Sequence, residues 1–544
     1  MKRPAFLLRL AALLVLSAGP TAVAAADAAP EEDGRLARIL ERGRLIVGVK
    51  SDYPPWGMVA EDGAIVGLEP DLAQDLADRI GVGLELVPVT SANRLSRLNQ
   101  GVIDVAIATI GDTEERQKSA DLLRPHYYAS GVTLLAPKGS PFTDWGQLRG
   151  RPVCLTDGAY FNRALVERYL IRPVVFSGLR DALLALRDGR CAGMAFDDTV
   201  LAQTLGDPQW ADYHLATPSI LSTPWAVAVQ TGEGGRDLGR LVEEAVADWH
   251  RSGRIIALQA RWGLPPSAFL AAFHDTWSAE ADGRTVCART AAGAWPEACL
   301  GGGGIRIAGL GGELPGWAAR LRATTGLDLS PAFDRIDRAR LLRGIGLTLA
   351  LSLVAIAGSL TVGICLALAD ATLRRGAALA AVLAHPIRGF VVLVRMTPPI
   401  LQLYILFFGL GGYLAATHGF TPGSFAIASL VLSFYAGGTN TVILRAALGH
   451  LAVERPGVPP LRLLPEAIER SYEGLVSTSV NIVKAAGLAS TIALPETISV
   501  VNSIIAEGGD ASTMMNLLLV FYFVFVLAVL GLLRAARGMV MRWI

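Results

Sequence analysis

No block of Lys or Arg interleaved with aromatic residues occurs in the 544 residues, and the formal net charge is only +1. A chain that tracks a phosphate backbone needs such a cluster, which excludes nucleic acid as a partner. GxxxxGK(S/T) is also missing, so the chain has no P-loop with which to hydrolyse a nucleotide. Neither HExxH nor CxxC is present, and the five cysteines have no histidines at metal-ligand spacing. Charge itself is scarce: 18% of residues are charged against 52% hydrophobic. That balance is more apolar than an ordinary soluble protein, and the length is too great for one domain.

The N-terminus carries Lys2 and Arg3, then an apolar stretch too short to span a bilayer comfortably, then small residues ending near AVAAA. This order predicts a secretory signal peptide over residues 1–26, cleaved around Ala24 to Ala26, with the following domain exported. Cys287 and Cys299 lie close enough in sequence to close a small loop. Cys154 and Cys191 each adjoin a strand-like run, and Cys365 falls in an apolar helix. The expectation is buried thiols with one disulfide.

The rest divides by texture. Residues 35–270 alternate short β-branched runs (LIVGV, LELVPV, VIDVAIATI, VTLLA, PVCLT, AGMAF, WAVAV) with amphipathic stretches. In PDLAQDLADRIG, Leu72, Leu76 and Ile80 recur every four residues and Gly81 ends the pattern. Such alternation predicts an α/β domain with parallel sheets, long enough for two lobes. Residues 271–340 lose the rhythm and read as a linker or small insert, with only GWAARLRATTGL helical. From 341 to 544 the chain reads as a membrane domain. Apolar runs at about 344–368, 398–416, 423–443 and 514–533, and a less apolar one at 475–506, can each cross roughly 30 Å of hydrocarbon. Placing Arg374, Arg375, Arg445, Arg462, Arg534, Arg537 and Arg542 on the cytoplasmic side gives five crossings, an outside start and an inside C-terminus.

Three stretches carry a family resemblance. VGVKSDYPPWGMVAEDGAIVGLEPDLAQDLADRIG, VTSANRLSRLNQGVIDVAIATIGDTEER and WHRSGRIIALQARWG, in this order over about 44–264, resemble the polar amino-acid-binding proteins of bacterial ABC importers, the family 3 solute-binding proteins. The resemblance implies a two-lobed α/β periplasmic-binding-protein fold (type II). Lobe 1 would take about 40–134 and 225–270, and lobe 2 about 135–224, closing over a free amino acid. A dry site for a zwitterion needs a fixed cation and a fixed anion.

By the resemblance, Arg116 of TEER forks onto the ligand carboxylate, a task suited to a planar guanidinium. Thr109 and Gly111 occupy the preceding contact positions, Gly111 standing where relatives often add a hydroxyl. Asp197, in GRCAGMAFDD, matches the carboxylate that takes the ammonium. Tyr53 matches the aromatic along the ligand side chain, and Gly158 of DGAY the loop that donates backbone N–H groups. Tyr160 stands where relatives commonly carry a small hydroxyl residue. Lys50, Ser91 and Arg94 match positions that read the side chain in the glutamate/aspartate branch. Two cations there favour an acidic ligand, with amides and other polar amino acids as the alternatives.

The later stretches GIGLTLALSLVAIAGSLTVGICLALA, PIRGFVVLVRMTPPILQLYILFFGLG and LLPEAIERSYEGLVSTSVNIVKAAGLAST resemble the permease subunits of the same importers. This implies an all-α transmembrane permease domain of about five helices, without enzymatic activity or a cofactor of its own. A separate ABC ATP-binding subunit would carry ATP and Mg, and the permease would pair with itself or with another permease. The implied place is the bacterial inner membrane, multi-pass, with the binding domain on the periplasmic or extracellular side. One departure stands out. Between Arg445 and Leu464 the EAA sequence that docks on an ATPase is absent, the segment is short, and Pro456, Pro459 and Pro460 oppose a continuous helix. An uncoupled membrane-anchored amino-acid sensor is therefore the alternative to an importer.

Overall fold

The computed structural model describes residues 34–281, 283–291, 293–302, 314–374 and 378–540. The expected signal peptide, Arg375 and Arg542 lie outside the described residues. The first half is built on one sheet of eight main strands: β1 (Arg44–Lys50), β2 (Gly83–Val89), β3 (Val105–Gly111), β4 (Tyr128–Pro137), β5 (Pro152–Thr156), β6 (Arg172–Phe176), β7 (Gly193–Asp197) and β8 (Ile220–Val229). They lie in the order β6-β5-β7-β4-β8-β3-β1-β2. One lobe holds β1, β2 and β3, the other β5, β6 and β7, while β4 and β8 run between them.

Pairing within each lobe is parallel, as the alternation of strand and helix predicts. The sheet as a whole is mixed, because β4 and β8 pair antiparallel with each other and with their flanking strands. A crossing strand buried on both faces has the same continuous apolar pattern as a parallel one, so the sequence does not separate them. Helix α1 (Leu68–Ile80) covers lobe 1 with Leu72 and Leu76 fully buried, and stops at Gly81 in the left-handed conformation. That agrees with the four-residue spacing and the terminal glycine.

Two disulfides form, where one was expected. Cys287–Cys299 closes the short loop and is packed with Trp277 and Trp295. Cys154–Cys191 also forms, with Cα atoms 5.6 Å apart. The partners are 37 residues apart in sequence, yet β5 and β7 are neighbours, with Cys154 opposite Met194. Only strand order creates that proximity. The described residues of 271–340 include helices Gly316–Thr325 and Ser330–Phe333 besides the disulfide loop.

The second half is helical. By length and composition, five helical segments among the described residues can cross a membrane: Arg335–Leu373, Pro399–His418, Ser424–Glu454, Tyr472–Ile492 and Ala511–Gly538. We label α2 (Asn162–Tyr169) and α3 (Leu179–Arg187) in lobe 2, then α4 (Arg335–Leu373), α5 (Ser424–Glu454), α6 (Pro460–Arg470), α7 (Thr497–Ala506) and α8 (Ala511–Val540). Small residues let α4 and α5 approach closely: a Cβ on Gly363 would fall 2.6 Å from Asn440 Cβ, and one on Gly358 2.3 Å from Ser433 Oγ. The helix α5 ends at Glu454 and α6 begins at Pro460, so the chain breaks where the prolines lie.

Candidate functional site

The cleft between the lobes is closed by contacts from both sides. Arg116, 2% exposed, follows β3 at the start of a short 3-10 turn. Its Nη1 donates to the Gly111 carbonyl and its Nη2 to the Gly158 carbonyl of lobe 2, each at 3.0 Å. Burial lowers its pKa to about 9, with Arg94 adding to the effect. Opposite it, Asp197 ends β7; its Oδ2 accepts a hydrogen bond from Tyr53 of lobe 1, while Oδ1 is buried without a partner. Desolvation raises the Asp197 carboxyl to about 7 against the opposing pull of the Tyr53 bond. The cleft thus brings together a guanidinium from lobe 1 and an under-satisfied carboxylate from lobe 2.

Adjacent Asp198 has a different task. Its Oδ1 accepts from Ser130 at 2.7 Å and its Oδ2 from Ser219 at 2.6 Å, so it fastens α-helical chain after β7 to the crossing strands. Lys50 lies at the end of β1, 3% exposed, with Nζ 3.1 Å from Ser91 Oγ and 3.4 Å from Asp52 Oδ1. Burial lowers its pKa, while Asp52 opposes the shift. Arg94 is equally enclosed; its Nη1 donates to the Ala108 and Thr109 carbonyls, and its Nε has no partner.

Thr109 is held at φ +50, a left-handed conformation that costs a non-glycine residue about 1–3 kcal/mol. What over-determines it is a residue the sequence did not single out. Fully buried Glu69 on α1 accepts from the Thr109 N–H at 2.6 Å and from Tyr127 Oη at 2.5 Å. Desolvation raises Glu69 to about 8, although both bonds favour its charged form. Its place in the first turn of a helix is also where acids serve the helix dipole, so sequence alone gives no reason to send it inward.

The departures at Gly111 and Tyr160 compensate each other. A Cβ on Gly111 would lie 3.2 Å from Tyr160 Cδ1 and 3.0 Å from Thr223 Cγ2. The tyrosine uses the space a side chain would take, and its hydroxyl donates to the Ser130 and Leu221 carbonyls at 3.3 and 3.2 Å. Gly158 has φ +74, and a Cβ there would fall 2.6 Å from the Ser91 carbonyl carbon. Glycine therefore permits the backbone of lobe 2 to meet that of lobe 1. The nine expected site residues are joined by contacts: Lys50 with Ser91 and over the Tyr53 ring, Tyr53 with Asp197, Arg94 with Thr109, Arg116 with Gly111 and Gly158, and Gly158 against Ser91. Among the described residues no cluster of His, Cys, Asp or Glu can hold a metal ion.

Residues 45–265 match the family model described as bacterial extracellular solute-binding proteins, family 3. This part of the chain is a family 3 solute-binding domain. The L-cystine-binding protein TcyJ of Escherichia coli K12 is 29% identical over 245 residues, covering 42% of this chain and 86% of that protein. The glutamine-binding protein GlnH of the ABC transporter of Bacillus subtilis 168 is 26% identical over 263 residues, covering 47% of this chain and 94% of that protein. The solved structure of holo ArgBP from T. maritima aligns at 28% identity with a TM-score of 0.38, over 42% of this chain and 98% of that one. The two-lobed α/β solute-binding fold expected from the sequence is the one adopted, and the five apolar helices that follow fit a permease domain.

Proposed function

We propose that this chain is an importer subunit that joins receptor and permease. The family 3 domain captures a polar amino acid outside the inner membrane and the helices of the same chain pass it inward, powered by a separate ABC ATP-binding subunit. The observation that carries the reading is the opposition of Arg116 and Asp197, buried groups of opposite charge from the two lobes. Arg116 would take the ligand carboxylate and Asp197 its ammonium, with Tyr53 along the side chain and Gly158 beside the carboxylate. The names of the relatives, binding proteins for cystine, glutamine and glutamate/aspartate, support an amino-acid ligand. Lys50 is already offset by Asp52, so an acidic side chain would draw chiefly on Arg94, whose Nε is free of partners.

The helix ends that meet the receptor support the orientation proposed. Asp334 and Asp337 at the start of α4 pair with Arg163 of α2, and Pro422 just before α5 accepts from Arg190 of lobe 2. The opposite ends carry Arg374, Arg455, Arg470 and Arg537, the distribution that favours the cytoplasmic side. A permease homodimer or a heterodimer with another permease would complete the path through the bilayer.

The sensor reading is kept alive by one feature. The α5–α6 end is tied to its own domain by ion pairs, Arg470 to Glu454 and Glu466 and Arg455 to Glu466, where an ATPase would dock. Calorimetric titration of the full chain with the twenty amino acids tests capture. Uptake of the bound amino acid into cells, with and without ATP depletion, tests coupling: binding without ATP-dependent uptake selects the sensor, and absence of binding removes both readings.

A further inference from the structure

The two lobes meet the membrane helices in unlike ways. Lobe 2 is fastened at four places. Arg163 of α2 reaches Asp334 at 2.8 Å and Asp337 at 3.3 Å. Arg190 donates to the Pro422 carbonyl at 3.0 Å and lies 3.6 Å over the Phe407 ring. Tyr404 donates to Asp181 of α3 at 2.9 Å, and Ser503 of α7 donates to Asp157.

Space lies under both lobes, a cavity of about 470 Å³ separating Asn162, Arg163 and Val166 of lobe 2 from Ile336, Arg340 and Phe425, but among the described residues lobe 1 lacks fastenings of the kind that hold lobe 2. A cavity of about 560 Å³ runs between Leu95, Ser96, Asn99 and the corner after α7. A second of about 370 Å³ separates Thr90, Asn93 and Gln100 from Ser499 and Asn502. At the wall of the larger cavity lobe 1 touches the corner with Glu115. Gly508, at φ +107, comes so near that a Cβ would lie 3.0 Å from the Glu115 carbonyl oxygen. Glu507 beside it is forked by Arg340 of α4 at 2.8 and 3.1 Å, which locks the corner to the membrane domain.

Glu115 adjoins Arg116, and Asp157 adjoins Gly158, the carbonyl to which Arg116 donates. One corner of six residues, Ser503 to Gly508, therefore meets both sides of the cleft, each one residue away from the bond that closes it. Lobes that separate cannot keep both contacts. We propose that lobe 2 stays on the membrane helices while lobe 1 moves, and that seating of the Glu115 turn on Gly508 is how the membrane domain registers an occupied, closed cleft. The inference rests on the receptor reading above. It names a motion and a contact point that the reading does not require.

Disulfide trapping in the full chain tests it, in a Cys365→Ser background that removes the one free thiol among the described residues. The probes are L-glutamine and L-glutamate, neither of which reacts with thiols. The pair Glu115→Cys with Gly508→Cys is expected to cross-link about tenfold faster with a bound amino acid than without. The pair Asp157→Cys with Ser503→Cys is expected to cross-link at the same rate in both states. Because a side chain at Gly508 strains its backbone, hydrogen exchange of the unsubstituted chain is the second measurement. Binding should protect residues 114–119 and 507–511 and leave 163 and 334–340 unchanged. Ligand-independent trapping and exchange at the Glu115 turn, in a chain that binds one of the probes, would overturn the proposal and leave the receptor reading standing. If the unsubstituted chain binds none of the twenty amino acids, the receptor reading and the proposal fall together; if it binds another of them, that amino acid replaces the probes.

Discussion

Replacing Arg116 by Gln in the full chain should weaken amino-acid binding by about two orders of magnitude. The guanidinium is 2% exposed and already spends one N–H on Gly111 and one on Gly158. Its remaining hydrogens form the planar set that suits a carboxylate. Each charge-assisted hydrogen bond lost from a dry site costs about 1.5–3 kcal/mol. Glutamine keeps one donor but no charge, so about 3 kcal/mol is a fair figure, which corresponds to roughly 150-fold in Kd. Arg116→Lys keeps the charge without the fork and should lose about tenfold. Titration calorimetry of the full chain in detergent reads both values, with circular dichroism and the melting curve as controls for folding. A Kd for Arg116→Gln within about threefold of the parent, with folding unchanged, would refute the carboxylate role.

Binding should also depend on pH through Asp197. Its carboxyl is raised from 3.8 to about 7, so the folded chain keeps a proton between these values that the unfolded chain has lost. This group's contribution to stability therefore falls as pH rises from about 4 to about 7 and is constant above. A ligand ammonium favours the ionised form, so affinity should rise by up to about tenfold per pH unit below 7 and level off above it. Titrations in buffers of different ionisation enthalpy should register the proton released; a flat profile, or affinity that falls with rising pH, speaks against Asp197 as the ammonium partner. For Gly111 and Tyr160, a double-mutant cycle of Gly111→Ser and Tyr160→Ser, read by thermal unfolding, should give a coupling of about 1 kcal/mol, the serine costing less once the ring is gone while Thr223 still crowds it. Additive effects would show that the two positions are independent. Cys154→Ser with Cys191→Ser removes a cross-link spanning 37 residues. The chain-entropy relation gives a loss of about 3–4 kcal/mol, visible as a lower melting temperature of the receptor transition, and an unchanged transition would mean that the unfolded chain is already restrained.

Much of the candidate site was legible because the motifs that carry the family resemblance are local. TEER puts Arg116 on the turn directly after a strand, and AFDD puts Asp197 at the end of another, so strand pattern and motif agree on both. The resemblance singled out Asp197 and left its neighbour Asp198 without a task; the fold turns the first carboxylate into the cleft and the second to Ser130 and Ser219. Asp52 and Glu69 were missed for a related reason. Each looks like a surface or helix-start acid until the fold brings Lys50 or the Thr109 amide against it. The closed disulfide between β5 and β7 was missed because thirty-seven residues of chain hide a neighbour relation that only sheet order reveals.

The sequence by itself determined the alternation of strand and helix, the stop of α1 at Gly81 and the change to apolar helices after residue 340, while the candidate cation and anion of the cleft came from the family resemblance. The first three depend on period, turn chemistry and composition, which act over a few residues at a time. Tertiary structure decided which acids neutralise which bases, that Gly111 lies close against Thr223 and Tyr160, and that Ser503 to Gly508 underlies both lobes. Those relations join residues tens to hundreds apart in the chain. Their energies come from burial and close approach, and neither exists until the elements have packed.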